Sequence, residues 1–124
     1  MFDRGTLDMN MPYDPKAKRK EDRIISSIDA SYSDGTRFFN EKIIDLSLGG
    51  CQIEALTPLE KGIELTLSIA SSPPVKVKGT IRWTKKKGFK YHMGVQFHSV
   101  TAEQEHQLRD IIHASFWADD KFLL

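Results

Sequence analysis

Two groups of residues in this sequence are of types that bind ligands. The first is Arg19 and Arg23, an Arg-x-x-x-Arg pair; the second is Asp45-Leu46-Ser47-Leu48-Gly49-Gly50, an acid, a hydroxyl and two glycines in close succession. A guanidinium is a planar fork of donors that pairs bidentately with phosphate or with the O6 and N7 acceptors of guanine, and it stacks on flat rings. A carboxylate only accepts, which suits the N1–H and N2 amino donors on guanine's other edge, and a serine hydroxyl can donate to phosphate or base. Glycines let a backbone come close to a ligand and permit positive φ. A turn of this kind faced by two arginines suits a guanine nucleotide. Each motif alone has a plainer reading: chance arginine spacing for the first, and for the second an Asx turn in which Asp45 and Ser47 satisfy local backbone N–H groups. The candidate site rests on their conjunction.

Positioning these groups falls to a chain rich in short strands. Residues 1–18 have no periodicity, contain Pro12 and Pro15, and run into Lys16-Ala17-Lys18-Arg19-Lys20; we read them as a flexible N-terminal arm. Ile24, Ile28, Ala30 and Tyr32 share one parity, with an irregular position at Ser26, which predicts a half-buried strand. Asp34-Gly35 turns the chain into a second strand from Arg37 to Ile44; Asp45 to Gly50 is expected as a turn, and Cys51, Ile53 and Ala55 form a third strand. Ile63, Leu65, Leu67 and Ile69 alternate with polar residues in a fourth. Val75, Val77, Gly79, Ile81 and Trp83 are expected on the inner face of a fifth, with Lys76, Lys78 and Arg82 outside. Lys85 to Lys90 reads as a positively charged hairpin tip, and Tyr91 to Phe97 as a sixth strand. Thr101-Ala102-Glu103-Gln104 is a capping box that opens a helix whose stripe is Leu108, Ile111, Ile112, Ser115 and Phe116. Six short antiparallel strands point to a small barrel or sandwich. Residues 117–124 are set apart as a C-terminal tail whose Trp117, Phe122, Leu123 and Leu124 are expected to finish the core, the alternative being an exposed patch for a partner.

Composition adds little about partners. The chain of 124 residues is about one domain, and its formal net charge of +1 makes any electrostatic argument local. No run approaches the ~20 apolar residues of a membrane helix and no signal-peptide core is evident, so a cytoplasmic protein is the expectation. The lone Cys51 reads as a small buried side chain. His92 and His98, and His106 and His113, are too far apart in sequence to chelate one ion as pairs, and all four are expected at the surface. Nothing resembles a nucleophile paired with a base, and we expect neither an enzyme nor a metal site.

From Lys18 to Ile112 the sequence resembles the PilZ domain family, small β-barrels that bind the bacterial second messenger cyclic di-GMP. The resemblance lies in the arginine pair, the Asp45–Gly50 segment, Gly79-Thr80-Ile81-Arg82-Trp83 and Gly94-Val95-Gln96-Phe97. It implies a mostly β fold, a six-stranded antiparallel β-barrel with a C-terminal α-helix over residues 19–116, and a cyclic di-GMP site formed by Arg19, Arg23, Asp45, Ser47 and Gly50. Lys18, Lys20, Gly49 and Arg82 are further candidates for ligand contact. Many members have an arginine where this chain has Lys18, which keeps the charge and loses the fork. For Arg82, as for Lys76 and Lys78, the plainer reading is a solvated strand face.

The resemblance implies a bacterial receptor that passes ligand binding to a protein partner, in a pathway such as motility or surface attachment. Some members are ligand-independent adaptors, which usually lack part of the motif retained here. A nucleic-acid-binding barrel ranks last, because only Phe89 and Tyr91 accompany the basic residues as stacking platforms.

Overall fold

A computed structural model gives the structure of the chain; it describes residues 23–123 and, from Ser115 onward, the backbone alone. The expectations for Lys18, Arg19, Lys20 and the rest of the arm lie outside the described residues, as do those for the side chains of Ser115, Phe116, Trp117, Phe122 and Leu123 and for all of Leu124.

Six strands and one helix follow in order: β1 (Arg23–Ser33), β2 (Phe38–Ser47), β3 (Gly50–Ala55), β4 (Glu64–Ile69), β5 (Val75–Lys87), β6 (Lys90–His98) and α1 (Ala102–Leu123). Every neighbouring pair is antiparallel, and the sheet closes in the order β1-β2-β3-β6-β5-β4. The closing pair runs from Ala30 opposite Ile69 to Ser33 opposite Thr66. This is the expected six-stranded antiparallel barrel with a C-terminal helix.

Alternation explains why the barrel fills. Leu65, Leu67 and Ile69 of β4 and Val75, Val77 and Ile81 of β5 are buried, while Glu64, Thr66, Lys76 and Lys78 face water. Tyr32, Ile43, Leu46, Ile53 and Met93 join them at 1% exposure or less. Each such aliphatic side chain contributes roughly 1.5–3 kcal/mol relative to exposure. Helix α1 is started by the predicted reciprocal capping box: Gln104 N–H donates to Thr101 Oγ1 (3.1 Å) and Thr101 N–H donates to Gln104 Oε1 (2.9 Å). Gln104 Nε2 also donates to the Lys76 carbonyl (2.7 Å), tying the first turn of α1 to β5. Leu108 and Ile112 of the predicted stripe enter the core cluster, with Ile111 packed against it.

The departures from expectation have local causes. β2 runs through Ser47, so Asp45 and Ser47 are strand residues and the turn is reduced to Leu48-Gly49. β5 extends to Lys87 and β6 begins at Lys90, leaving Gly88-Phe89 as the tip of a longer ribbon. Trp83, expected inside, is 39% exposed. The ladder between β5 and β6 slips between Ile81 and Trp83: Ile81 pairs with Val95, Trp83 with Gly94 and Thr84 with the buried Met93. One extra residue in β5 thus turns both Arg82 and Trp83 outward, as a β-bulge does. Among the described glycines, positive φ falls at Gly35, Gly62 and Gly88, and Gly49 and Gly50 do without. The strand histidines are not simply at the surface: His92 is half-buried with Nε2 3.2 Å from Glu54 Oε2, and His98 Nε2 is buried without a hydrogen-bond partner. α1 continues to Leu123, through most of the segment set apart as a tail.

Candidate functional site

β1 opens with Arg23, whose register partner on β2 is Ser47; Ile25, two residues on, pairs with Asp45. That register brings the second arginine of the pair beside the acid of the second motif. Arg23 Nε donates to Asp45 Oδ1 (2.7 Å), and Arg23 Nη2 donates to Oδ2, completing a bidentate fork. The Arg23 side chain is 51% exposed and that of Asp45 12%. The bonded carboxylate beside it raises the Arg23 pKa further above its ordinary value, so the guanidinium stays charged. Gln52 of β3 adds a third donor, Nε2 to Asp45 Oδ2 at 3.3 Å.

Asp45 faces outward because β2, too, carries an irregular step. Ile43 pairs with Ile53, Asp45 with Gln52 and Leu46 with Cys51, so three residues of β2 span a distance that two cover on β3. Ile43 and Leu46 therefore both point into the core, and Asp45 sits between them on the outer surface beside Gln52. A third irregularity lies between Ile25 and Ile28 on β1. It coincides with Ser26, whose hydroxyl is buried without a hydrogen-bond partner at a position where the alternation calls for an apolar side chain.

The remaining residues of the second motif shape the turn. Ser47 Oγ donates to the Gly50 carbonyl (3.3 Å), and the Gly49 carbonyl accepts from Phe97 N–H (2.9 Å), which pins the turn to β6. Gly50 is needed for close approach: a Cβ there would lie 2.2 Å from the Val95 carbonyl oxygen. Gly49 has open space around its Cβ position, so the fold does not require a glycine there.

Arg23, Asp45, Ser47, Gly49 and Gly50 line one cleft of about 290 Å³, and Arg82 and Trp83 form its other side. Arg82 Nε donates to Gln96 Oε1 (2.6 Å), which holds the guanidinium along β6. The Trp83 indole lies directly over Gly94, where a Cβ would come within 2.1 Å of Nε1. Cys51 contributes to the floor; burial, aided by the Asp45 charge, pushes its thiol up to about 12, so it is a neutral packing group at physiological pH. A larger depression of about 660 Å³ lies over Asp29, Ser31, Asn40 and Lys42. There the Asp29 carboxylate and the Lys42 ammonium already satisfy each other, and no guanidinium lines it, so size alone does not make it the better site.

Of the sequence-predicted site residues, the structure brings together Arg23, Asp45, Ser47, Gly49, Gly50 and Arg82. Lys76 and Lys78 face other parts of the surface. Sequence reasoning missed Gln52, Gln96 and the outward turn of Trp83. The available signal was Gly94, a glycine inside a strand, which marks close approach by a neighbour.

A family model of the PilZ domain matches residues 17–114 of the chain. No curated protein matches this sequence. Among solved structures, YcgR from Escherichia coli in complex with c-di-GMP is similar at 17% identity and a TM-score of 0.69, over 82% of this chain and 47% of that one. The K. pneumonia MrkH–c-di-GMP complex is similar at 15% identity and a TM-score of 0.67, over 80% of this chain and 52% of that one. The PilZ domain of CeSA from a cellulose-synthesizing bacterium follows at 15% identity and a TM-score of 0.58, over 74% and 95%. At these identities the likeness concerns the fold, and this chain spans about half the length of the YcgR and MrkH structures. With the family model covering most of the sequence and the closed barrel matching in architecture, the chain belongs to the PilZ domain family.

Proposed function

We propose that this chain is a cyclic di-GMP receptor module whose site is the cleft between Arg23, Asp45, Ser47 and Gly50. The observation that carries the reading is the Arg23–Asp45 fork, because its two halves are the groups that a guanine nucleotide engages separately. The ligand's phosphate or guanine O6/N7 edge competes for Arg23, while its N1–H and N2 amino group compete for Asp45. Ser47 donates to phosphate, and Gly50 keeps the backbone close beneath it. Arg82 adds positive charge, and Trp83 offers a flat face for a base or a guanidinium. Family membership supports the ligand class, as do the YcgR and MrkH complexes with c-di-GMP.

A cleft of about 290 Å³ lies just below the range of roughly 300–1,000 Å³ for small-molecule sites. It takes part of a cyclic dinucleotide, and the remainder falls to Arg19, with Lys18 and Lys20 beside it. Binding then favours one arrangement of the arm, and the altered surface is what a protein partner reads. The module acts by binding, not by catalysis, and it works in the cytoplasm, where its ligand is.

Equilibrium titration of the full chain against cyclic di-GMP, GTP and a single-stranded oligonucleotide tests the reading, with cyclic di-GMP expected to bind most tightly. Arg23→Ala and Asp45→Ala each remove a charged hydrogen-bonding partner and should weaken that binding by roughly 10-fold to more than 100-fold. Parent-like affinity in both variants would overturn the assignment of the site.

A further inference from the structure

The cleft leaves the basic β5–β6 hairpin unused. Lys85, Lys86, Lys87 and Lys90 are all exposed around a two-residue turn, Gly88-Phe89, with Gly88 at a φ of 64°. Phe89 at the tip is 94% exposed. The last rungs extend past the neighbouring strands. Among the described residues β5 has no backbone partner on its β4 side beyond Ile81, where Thr84 Oγ1 donating to the Leu59 carbonyl (2.6 Å) is the brace, and β6 has no ladder partner on its β3 side before Tyr91. Lys87 and Lys90 face each other across the final rung, an unfavourable placement for like charges. Glu54 lies 3.4 Å from Lys90 and relieves part of it; among the described residues, Lys85, Lys86 and Lys87 have no carboxylate partner.

Lysines on a bare strand edge also discourage edge-to-edge pairing, and that accounts for some of these charges. It does not account for an aromatic ring held in water at the tip, nor for the nearby Leu56. Leu56, 64% exposed, follows Ala55, the register partner of Tyr91, and so lies at the base of the same ribbon. An apolar ring at the apex with cations behind it matches the layering of an anionic bilayer surface, where acyl chains lie beneath negative headgroups. A single strand of nucleic acid asks for something else, a row of ring faces along a groove. Here one ring stands at an apex, and Tyr91 is half-buried below it.

We propose that the β5–β6 hairpin docks this domain on an anionic lipid bilayer, with Phe89 entering the interface and Lys85, Lys86, Lys87 and Lys90 on the headgroups. The inference is independent of the ligand assigned to the cleft. Along β6, six residue steps lead from Gln96 at the cleft to Lys90, which at ~3.4 Å per step sets the tip about 20 Å away. A docked hairpin therefore leaves the cleft open.

The test is co-sedimentation of the full chain with vesicles of phosphatidylcholine alone or with about 30% phosphatidylglycerol, in about 0.1 M salt. Binding is expected only to the anionic vesicles. Phe89→Ala should weaken it about 10-fold. Replacing Lys85, Lys86 and Lys87 together by Gln should weaken it about 100-fold, roughly five-fold for each charge removed. These positions are exposed, so the variants should melt at the parent temperature. In a separate Phe89→Trp variant, anionic vesicles should add a blue-shifted emission component that is absent in the parent and quenched by brominated lipid. The proposal is overturned by any of three results: no binding to anionic vesicles, binding indifferent to Phe89→Ala, or no blue-shifted component from the vesicle-bound Phe89→Trp variant. Salt-dependent oligonucleotide binding through the same lysines, without vesicle binding, would assign the hairpin to nucleic acid instead.

Discussion

Arg23 and Asp45 hold each other in a bidentate ion pair. On the proposed reading a nucleotide at this fork replaces that pair, so its gain is the difference between two sets of charged hydrogen bonds. Because the Arg23 side chain is half exposed, water screens that pair and keeps the exchange within reach. Asp34, in the β1–β2 turn, is a carboxylate whose role is architectural. It accepts backbone N–H bonds from Arg37 (2.8 Å) and Thr36 (3.0 Å) and an ion pair from the Arg37 guanidinium, and these hold its carboxyl well below the usual range. With the folded pKa below the unfolded value of about 3.9, its stabilisation is present above about pH 4 and is lost as pH falls through the folded value. Asp34→Asn should therefore be less stable than the parent at neutral pH, and the gap should narrow below pH ~4, as urea unfolding at a series of pH values would show. Of these two acids, the sequence made Asp34-Gly35 readable as a turn from residue types alone. Asp45 needed its register partner, because a carboxylate that binds and one that caps a turn look alike in sequence.

At the scale of elements, β4 and the first part of β5 were readable because one residue per step keeps parity constant. The capping box of α1 was equally plain, since its two bonds join residues three apart. Parity fails where a strand takes an extra residue: strict alternation puts Trp83 inward, and nothing in the sequence marks the slip after Ile81 except Gly94 on the neighbouring strand. Arg82 and Trp83 make that slip useful, since two consecutive side chains reach the same cleft. Gly94→Ala tests the arrangement. Its Cβ would meet the indole, so Trp83 must leave the cleft wall, and a red shift in tryptophan emission with a cooperative unfolding transition retained is the expected outcome. An unshifted spectrum would mean that the strands, not the indole, had moved.

For the whole molecule, closure separates two ends of the barrel. The turn of Leu48-Gly49 and the start of β1 sit at the cleft end, while the tips of the β1–β2 and β5–β6 hairpins lie at the other. If the arm carrying Arg19 closes on bound ligand, limited proteolysis within residues 1–22 should slow at saturating cyclic di-GMP. Unchanged cleavage would count against arm closure and leave the titration result intact. The irregular steps in β2 and β5 also separate the fold from its site in heredity. Ile43 and Leu46, and Ile81 and Thr84, are inward anchors three residues apart, where an unbroken strand would place them two apart. Deleting Ile44 or Arg82 would restore simple alternation, leave the buried side chains facing inward, and remove the step that shapes the cleft. The barrel is thus encoded in residue types and the shape of its cleft in residue count. A lineage can lose the second by a single codon and keep the first.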